Sequence, residues 1–166
     1  MKYVRFFVAA VAAVLASPAF AGPACYTPAQ MQAEQLLRLH SELMVITVTC
    51  RTGSRGEDLP AAYGDFTKKH IRVLHDAETA MTDYYKTHGH GNATDQLDRL
   101  RTRLANEFGQ KAADMSGPAF CAAYRDRVLK FDEAIGADVE NEVQRMVIAE
   151  RSYAPSCPGG MGMAKK

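Results

Sequence analysis

Four cysteines punctuate the chain at Cys25, Cys50, Cys121 and Cys157, each at the margin of a segment with helical periodicity. Four thiols allow three pairings. Which pairing is possible depends on what the chain does between them, so the segments are read first.

Thr27-Pro28 opens the first one. Thr27 suits an N-cap, Pro28 suits a first helical turn, and Gln30 completes a capping-box pattern. Leu36, Leu39, His40, Leu43, Ile46 and Thr47 then recur at steps of three and four, which predicts one helix to about Cys50. Leu43 to Val48 is rich in β-branched residues and also fits a short strand, but the periodicity on both sides favours helix. Arg51 to Leu59, with two glycines and several charges, reads as a loop. Pro60 starts a second helix whose inner stripe is Tyr63, Phe66, His70, Val73, Leu74, Ala77, Met81 and Tyr84. Thr87-His88-Gly89-His90-Gly91 ends it, with His88 and His90 expected in a solvated loop. Leu97, Leu100, Leu104, Phe108 and Met115 define a third helix from about Thr94, broken by Ser116-Gly117-Pro118. Asn92-Ala93-Thr94 fits a glycosylation pattern but is better read as a helix cap.

The last stretch is the most regular. Phe120, Tyr124, Val128, Phe131, Ile135, Val139, Val143 and Met146 follow one another at about 3.7 residues per step, close to the α-helical 3.6. One long helix to about Arg151 is expected, kinked or split at Gly136. The expected fold is therefore all-α: an up-down four-helix bundle over residues 22–154, followed by an irregular tail, 155–166. Met161 and Met163 belong to that tail and not to a copper site.

Rods of this length select the cysteine pairs. A first helix from Cys25 to Cys50 separates those residues by more than about 30 Å, whereas a disulfide needs Cα atoms within about 7 Å. Pairing Cys121 with Cys157 fails for the same reason. If the helices alternate in direction, Cys25 and Cys157 meet at one end of the bundle and Cys50 and Cys121 at the other. The last helix is longer than the first, so this pairing requires the tail to fold back or Gly136 to bend the rod.

The beginning of the chain reads as an address. Lys2 and Arg5 precede an apolar run from Phe6 to Leu15, and Ala19-Phe20-Ala21 is a small-x-small cleavage site. Residues 1–21 are expected to be a signal peptide, which places the mature protein in the periplasm or outside a bacterial cell. No second segment is long and apolar enough to span a bilayer, so no membrane association is expected after cleavage. Twenty Lys plus Arg balance nineteen Asp plus Glu in the 166-residue chain, which leaves no basic footprint for nucleic acid.

Motifs exclude more than they assign. There is no CxxC, CxxCH, HExxH, GxSxG, P-loop or dinucleotide-binding fingerprint, and no Glu-x-x-His of di-iron bundles. No cofactor and no enzymatic activity are expected. His40 and His70 fall on the apolar stripes of neighbouring antiparallel helices at similar height, with Glu107 level with them on the third helix. They are weak candidates for a ligand or metal site, against a reading as packed core histidines. Arg99, Arg101 and Arg103, and Arg125, Arg127 and Lys130, are expected on solvated, salt-bridged faces, or as a docking patch for an acidic partner.

The stretches LLRLHSELMVITVTC (Leu36 to Cys50) and YGDFTKKH (Tyr63 to His70) resemble a group of small secreted helical proteins of Gram-negative bacteria. The resemblance implies helices and export and no catalytic residue. The function expected is therefore non-enzymatic binding of a periplasmic protein or a small ligand. A metal- or cofactor-binding bundle using His40 and His70 is the alternative, and an unfamiliar hydrolase the third reading.

Overall fold

The computed structural model describes residues 24–51 and 58–158. The expected signal peptide, the centre of the first loop and Met161 and Met163 lie outside the described residues. Among the described residues six helices follow one another: α1 (Pro28–Thr49), α2 (Leu59–Lys69), α3 (Ile71–His88), α4 (Ala93–Asp114), α5 (Gly117–Asp132) and α6 (Gly136–Ala149). Among the described residues the only β-type pairing is a single parallel bridge between Tyr26 and Ser156. The β-branched end of the first segment is helix.

Local signals set most of the helix starts. The Thr27 hydroxyl accepts from the Gln30 N–H, and the Gln30 side chain accepts from the Thr27 N–H at 2.8 Å. The Asp58 carboxylate caps α2 through the Ala61 N–H at 3.0 Å. The Asn92 side chain caps α4 through the Thr94 and Asp95 N–H groups, and the Ser116 hydroxyl caps α5. Gly91 enters α4 at φ +88°, a left-handed conformation that glycine adopts without strain.

The second expected helix is two helices. The chain bends at His70, which leaves helical geometry at φ −107°, ψ 14°. The Thr67 hydroxyl bonds the Tyr63 carbonyl one turn back, a competitor for the helical ladder that favours bending. The bend lets α2 pack on α5 while α3 packs on α1 and α4. The last expected helix is also two. It stops at Asp132 and restarts at Gly136, where the Asp138 carboxylate reaches back to the Ile135 N–H at 3.1 Å. Ile135, expected on the inner stripe, lies in this break and is 67% exposed. Val73, also expected inside, is 45% exposed.

The first helix, α1, runs through the middle of the molecule and touches all five others. Every residue from Ala33 to Leu39 is buried, about two full turns. A helix covered all round is a core helix, not the one-sided rod of a simple bundle. Leu37, Leu39, Leu43 and Ile46 meet Phe66, Leu100, Leu104, Phe120 and Phe131 in one continuous apolar core.

Disulfides join Cys25 to Cys157 and Cys50 to Cys121, the pairs selected by alternating rods, with Cα atoms 4.9 and 5.5 Å apart. Each ties one end of α1 to the last third of the chain. The length problem is solved twice over: the rod breaks before Gly136, and residues 150–157 run back without helix. The Tyr26 N–H donates to the Pro155 carbonyl at 2.7 Å, and the Cys157 N–H donates to the Tyr26 carbonyl at 2.9 Å. The first residues of the tail are thus fastened, not free.

Candidate functional site

Two different surfaces meet the first half of α1. On one flank the returning chain covers a polar network. Glu34 and Gln35 are fully buried and Arg38 nearly so. Buried polar groups need partners, and the tail supplies them. The Tyr153 N–H donates to the Glu34 carboxylate at 3.1 Å, Gln35 donates to the Ser152 hydroxyl at 3.3 Å, and Arg38 reaches the Arg151 carbonyl at 3.5 Å. Arg38 also pairs with Glu107 from α4, which the Tyr153 hydroxyl bonds in turn, and Arg103 lies over the Tyr153 ring at 4.5 Å. Burial raises the pKa of Glu34 despite these donors. Burial also opposes the Glu107 carboxylate, but the bonds from Tyr153 and Arg38 outweigh it and hold its pKa below the usual range. Glu34, Gln35 and Arg38 each bond one of residues 151–153, although Gln35 Oε1 and Arg38 Nε stay buried without a partner among the described residues, so the network reads as a clasp.

On the other flank Ala29 and Gln32 of α1 are exposed, and Ala33 and Leu36 lie buried just beneath the surface. Both α3 and α6 pack on α1, but they leave a groove of about 520 Å³ between them. Three walls line it, and each repeats at steps of three, one and three. They are Ala29, Gln32, Ala33 and Leu36 on α1; Val73, Asp76, Ala77 and Ala80 on α3; and Gly136, Val139, Glu140 and Val143 on α6. Each wall is one face of one helix. The floor is apolar and built largely of small residues, and its volume falls in the range of ligand pockets. His70 closes one end. Its ring packs on Phe66 with centroids 5.0 Å apart, and its Nε2 is buried without a hydrogen-bond partner among the described residues. Beyond His70 the surface continues over Ile71, Val73 and Ile135. These are three of the six exposed large apolar side chains among the described residues, so the exposed apolar surface gathers at this end.

The three residues singled out by sequence do not form one site. No hydrogen bond, ion pair or ring contact joins His40, His70 and Glu107. The His40 Nε2 shares a 2.7 Å hydrogen bond with the Tyr63 hydroxyl, and burial, aided by Arg101, lowers its pKa to about 4. Glu107 belongs to the clasp, and His70 to the groove. Among the described residues no three His, Cys, Asp or Glu side chains converge as a metal ion requires. The basic clusters need one correction. Arg125 is 4% exposed and so is not on a solvated face, whereas Arg127, part-exposed, bridges Glu42 at 3.1 Å and Glu142 at 2.9 Å, in keeping with a salt-bridged face. Arg101 pairs with Glu78 at 3.0 Å, as a salt-bridged face predicts.

Sequence reasoning missed both flanks of α1. The groove had a faint signal in the alanines at 29 and 33 and at 77 and 80, which are too small to fill a helix interface. The clasp had one in Glu34, Gln35 and Arg38, which interrupt the apolar face of the first helix.

No family model matches the chain, and no curated protein or solved structure matches it. Two disulfides fit an oxidising compartment. No helix among the described residues is long and apolar enough to cross a membrane.

Proposed function

We propose that this is a non-enzymatic binding protein of the bacterial periplasm or exterior, and that the groove between α1, α3 and α6 receives its ligand. In this reading α2 with α3, and α5 with α6, each serve as one bent rod of an up-down bundle. The two disulfides hold the rods while one inter-rod seam stays open. The observation that carries the reading is the set of three largely apolar helical faces converging on one open groove. A packed core would fill such a space, because unfilled apolar volume forfeits dispersion contacts. An open seam of this kind is where bundles place ligands.

The neutral apolar dye N-phenyl-1-naphthylamine tests the reading by fluorescence titration. Saturable binding to the intact protein is expected, with loss in Ala80→Phe, which places a ring in the groove. Gln32→Trp, on the opposite wall, repeats the block at an independent position. Absent binding, or binding that neither variant disturbs, would overturn the reading.

A further inference from the structure

We propose that the groove's occupant is a cationic amphipathic helix of a protein partner; this rests on the reading above. The walls set the shape. Each spans eight residues, Ala29–Leu36, Val73–Ala80 and Gly136–Val143, or about 10 Å at 1.5 Å per residue. That is two turns of an α-helix, and an apolar stripe at i, i+3 or i+4 and i+7 matches it step for step. Small residues at 29, 33, 77 and 80 allow the close approach that ridge-and-groove packing of helices requires.

Charge fixes the flanks. Asp76 stands midway along the α3 wall and Glu140 midway along the α6 wall, on opposite sides of the apolar floor. Both are exposed, and neither has an ion-pair partner among the described residues. The third polar wall residue, Gln32, is neutral. Of the cations on the adjoining surface, Lys69 is already paired with Asp132, and Arg72 stands one turn before Asp76 on α3 without forming an ion pair with it. A helix with Lys or Arg on both sides of its apolar stripe meets one carboxylate on each wall. An acyl chain of similar bulk leaves both carboxylates unengaged, and an acidic helix is repelled from both walls.

Two labelled model helices of about fourteen residues make the test. They share a leucine stripe and differ only in flanks, lysine or glutamate. Fluorescence anisotropy on the full mature chain is expected to show the lysine-flanked peptide binding and displacing the naphthylamine dye. Its affinity is expected to fall about tenfold or more in Asp76→Lys/Glu140→Lys and in Ala80→Phe, and that of the glutamate-flanked peptide to rise in the charge-reversed protein. Gln32→Trp replaces Ala80→Phe if the latter unfolds by circular dichroism. Equal binding of the two peptides, or lysine-peptide affinity unchanged in the blocked groove, would overturn the proposal. Dye binding that the blocked groove abolishes, with neither peptide bound, would overturn the partner class and leave the groove's binding role standing. Loss of both would overturn the two together.

Discussion

The two flanks of α1 share one helix and two turns of sequence, yet they are finished in opposite ways. On the clasp side, Glu34, Gln35 and Arg38 are buried and each bonds one of residues 151–153. On the groove side, Ala29 and Gln32 are exposed, and the buried Ala33 and Leu36 form the base of an open groove. The difference follows from what each surface tolerates. A charged network withdrawn from water is costly unless every partner is present, so it specifies one cover and admits no other. An apolar floor of small residues loses little by standing open, so it can wait for a ligand. The clasp, the disulfide and the Tyr26–Ser156 bridge together hold both ends of the segment that follows α6.

The largest expected effect comes from breaking the clasp. Removing the guanidinium in Arg38→Ala leaves the Glu34 carboxylate buried without its ion pair and frees Glu107, and is expected to cost about 3–5 kcal/mol in urea unfolding. Glu34→Gln in the same background is expected to restore part of the loss, because the two groups act as one unit. Equal and additive costs of the two substitutions would show that the network is not a unit. Cutting the Cys25–Cys157 disulfide with the double alanine variant follows, at about 2–4 kcal/mol. Hydrogen exchange at Tyr153 and Cys157 is expected to rise more than at Leu104 in the core, and a uniform rise would mean that the tail and core open together.

Acid separates the flanks from the rest of α1. The folded pKa of His40, about 4, lies below its ordinary 6.5, so the unfolded chain binds the extra proton between those values. Stability contributed by neutral His40 is complete above pH 6.5 and is lost as the pH falls toward 4, by about 2–3 kcal/mol. Glu34 acts in the opposite sense. Its raised pKa means that the folded state holds a proton better, so its contribution grows as the pH falls through that raised value toward 4.5. His40→Gln is therefore expected to remove the loss between pH 6.5 and 4 and to expose the Glu34 gain. An unchanged acid limb would assign the pH dependence to other groups.

How far the sequence anticipated this molecule depends on the range of each interaction. Thr27 with Gln30, Asn92 and Ser116 act on backbone three residues away, so the caps were legible. The disulfide pairs were legible because rod length excludes one of the three pairings and alternating helix directions choose between the other two. The restart of α6 was half legible, since Gly136 and Asp138 advertise it while the exposure of Ile135 does not. The bend at His70 was hidden, because its one local signal, the Thr67 hydroxyl, is weak and the bend mainly serves the packing of α2 on α5. The clasp was hidden for the same reason: Glu34 is buried by Tyr153, 119 positions away. The groove was least legible, since the periodicity that places Val73, Ala77, Val139 and Val143 on inner faces does not say that nothing lies between them.

Substitutions that add volume should give the smallest effects and the sharpest contrast. Ala80→Phe enlarges a partly exposed groove residue and is expected to change stability by no more than about 0.5 kcal/mol. Gly136 has ordinary backbone angles, and a Cβ there meets nothing within 4 Å. Gly136→Ala should therefore stabilise by about 0.4–1 kcal/mol, chiefly by restricting the unfolded chain. The control lies away from the groove at Gly89, where an added Cβ would stand 2.5 Å from the Tyr85 carbonyl oxygen and 2.7 Å from the Gln96 side chain. Gly89→Ala must displace the backbone and should destabilise. Thermal unfolding of the three variants reads the contrast directly. If Gly136→Ala destabilised as Gly89→Ala does, the α6 wall would be packed against something, and the groove would not be the open seam that the comparison of the two flanks requires.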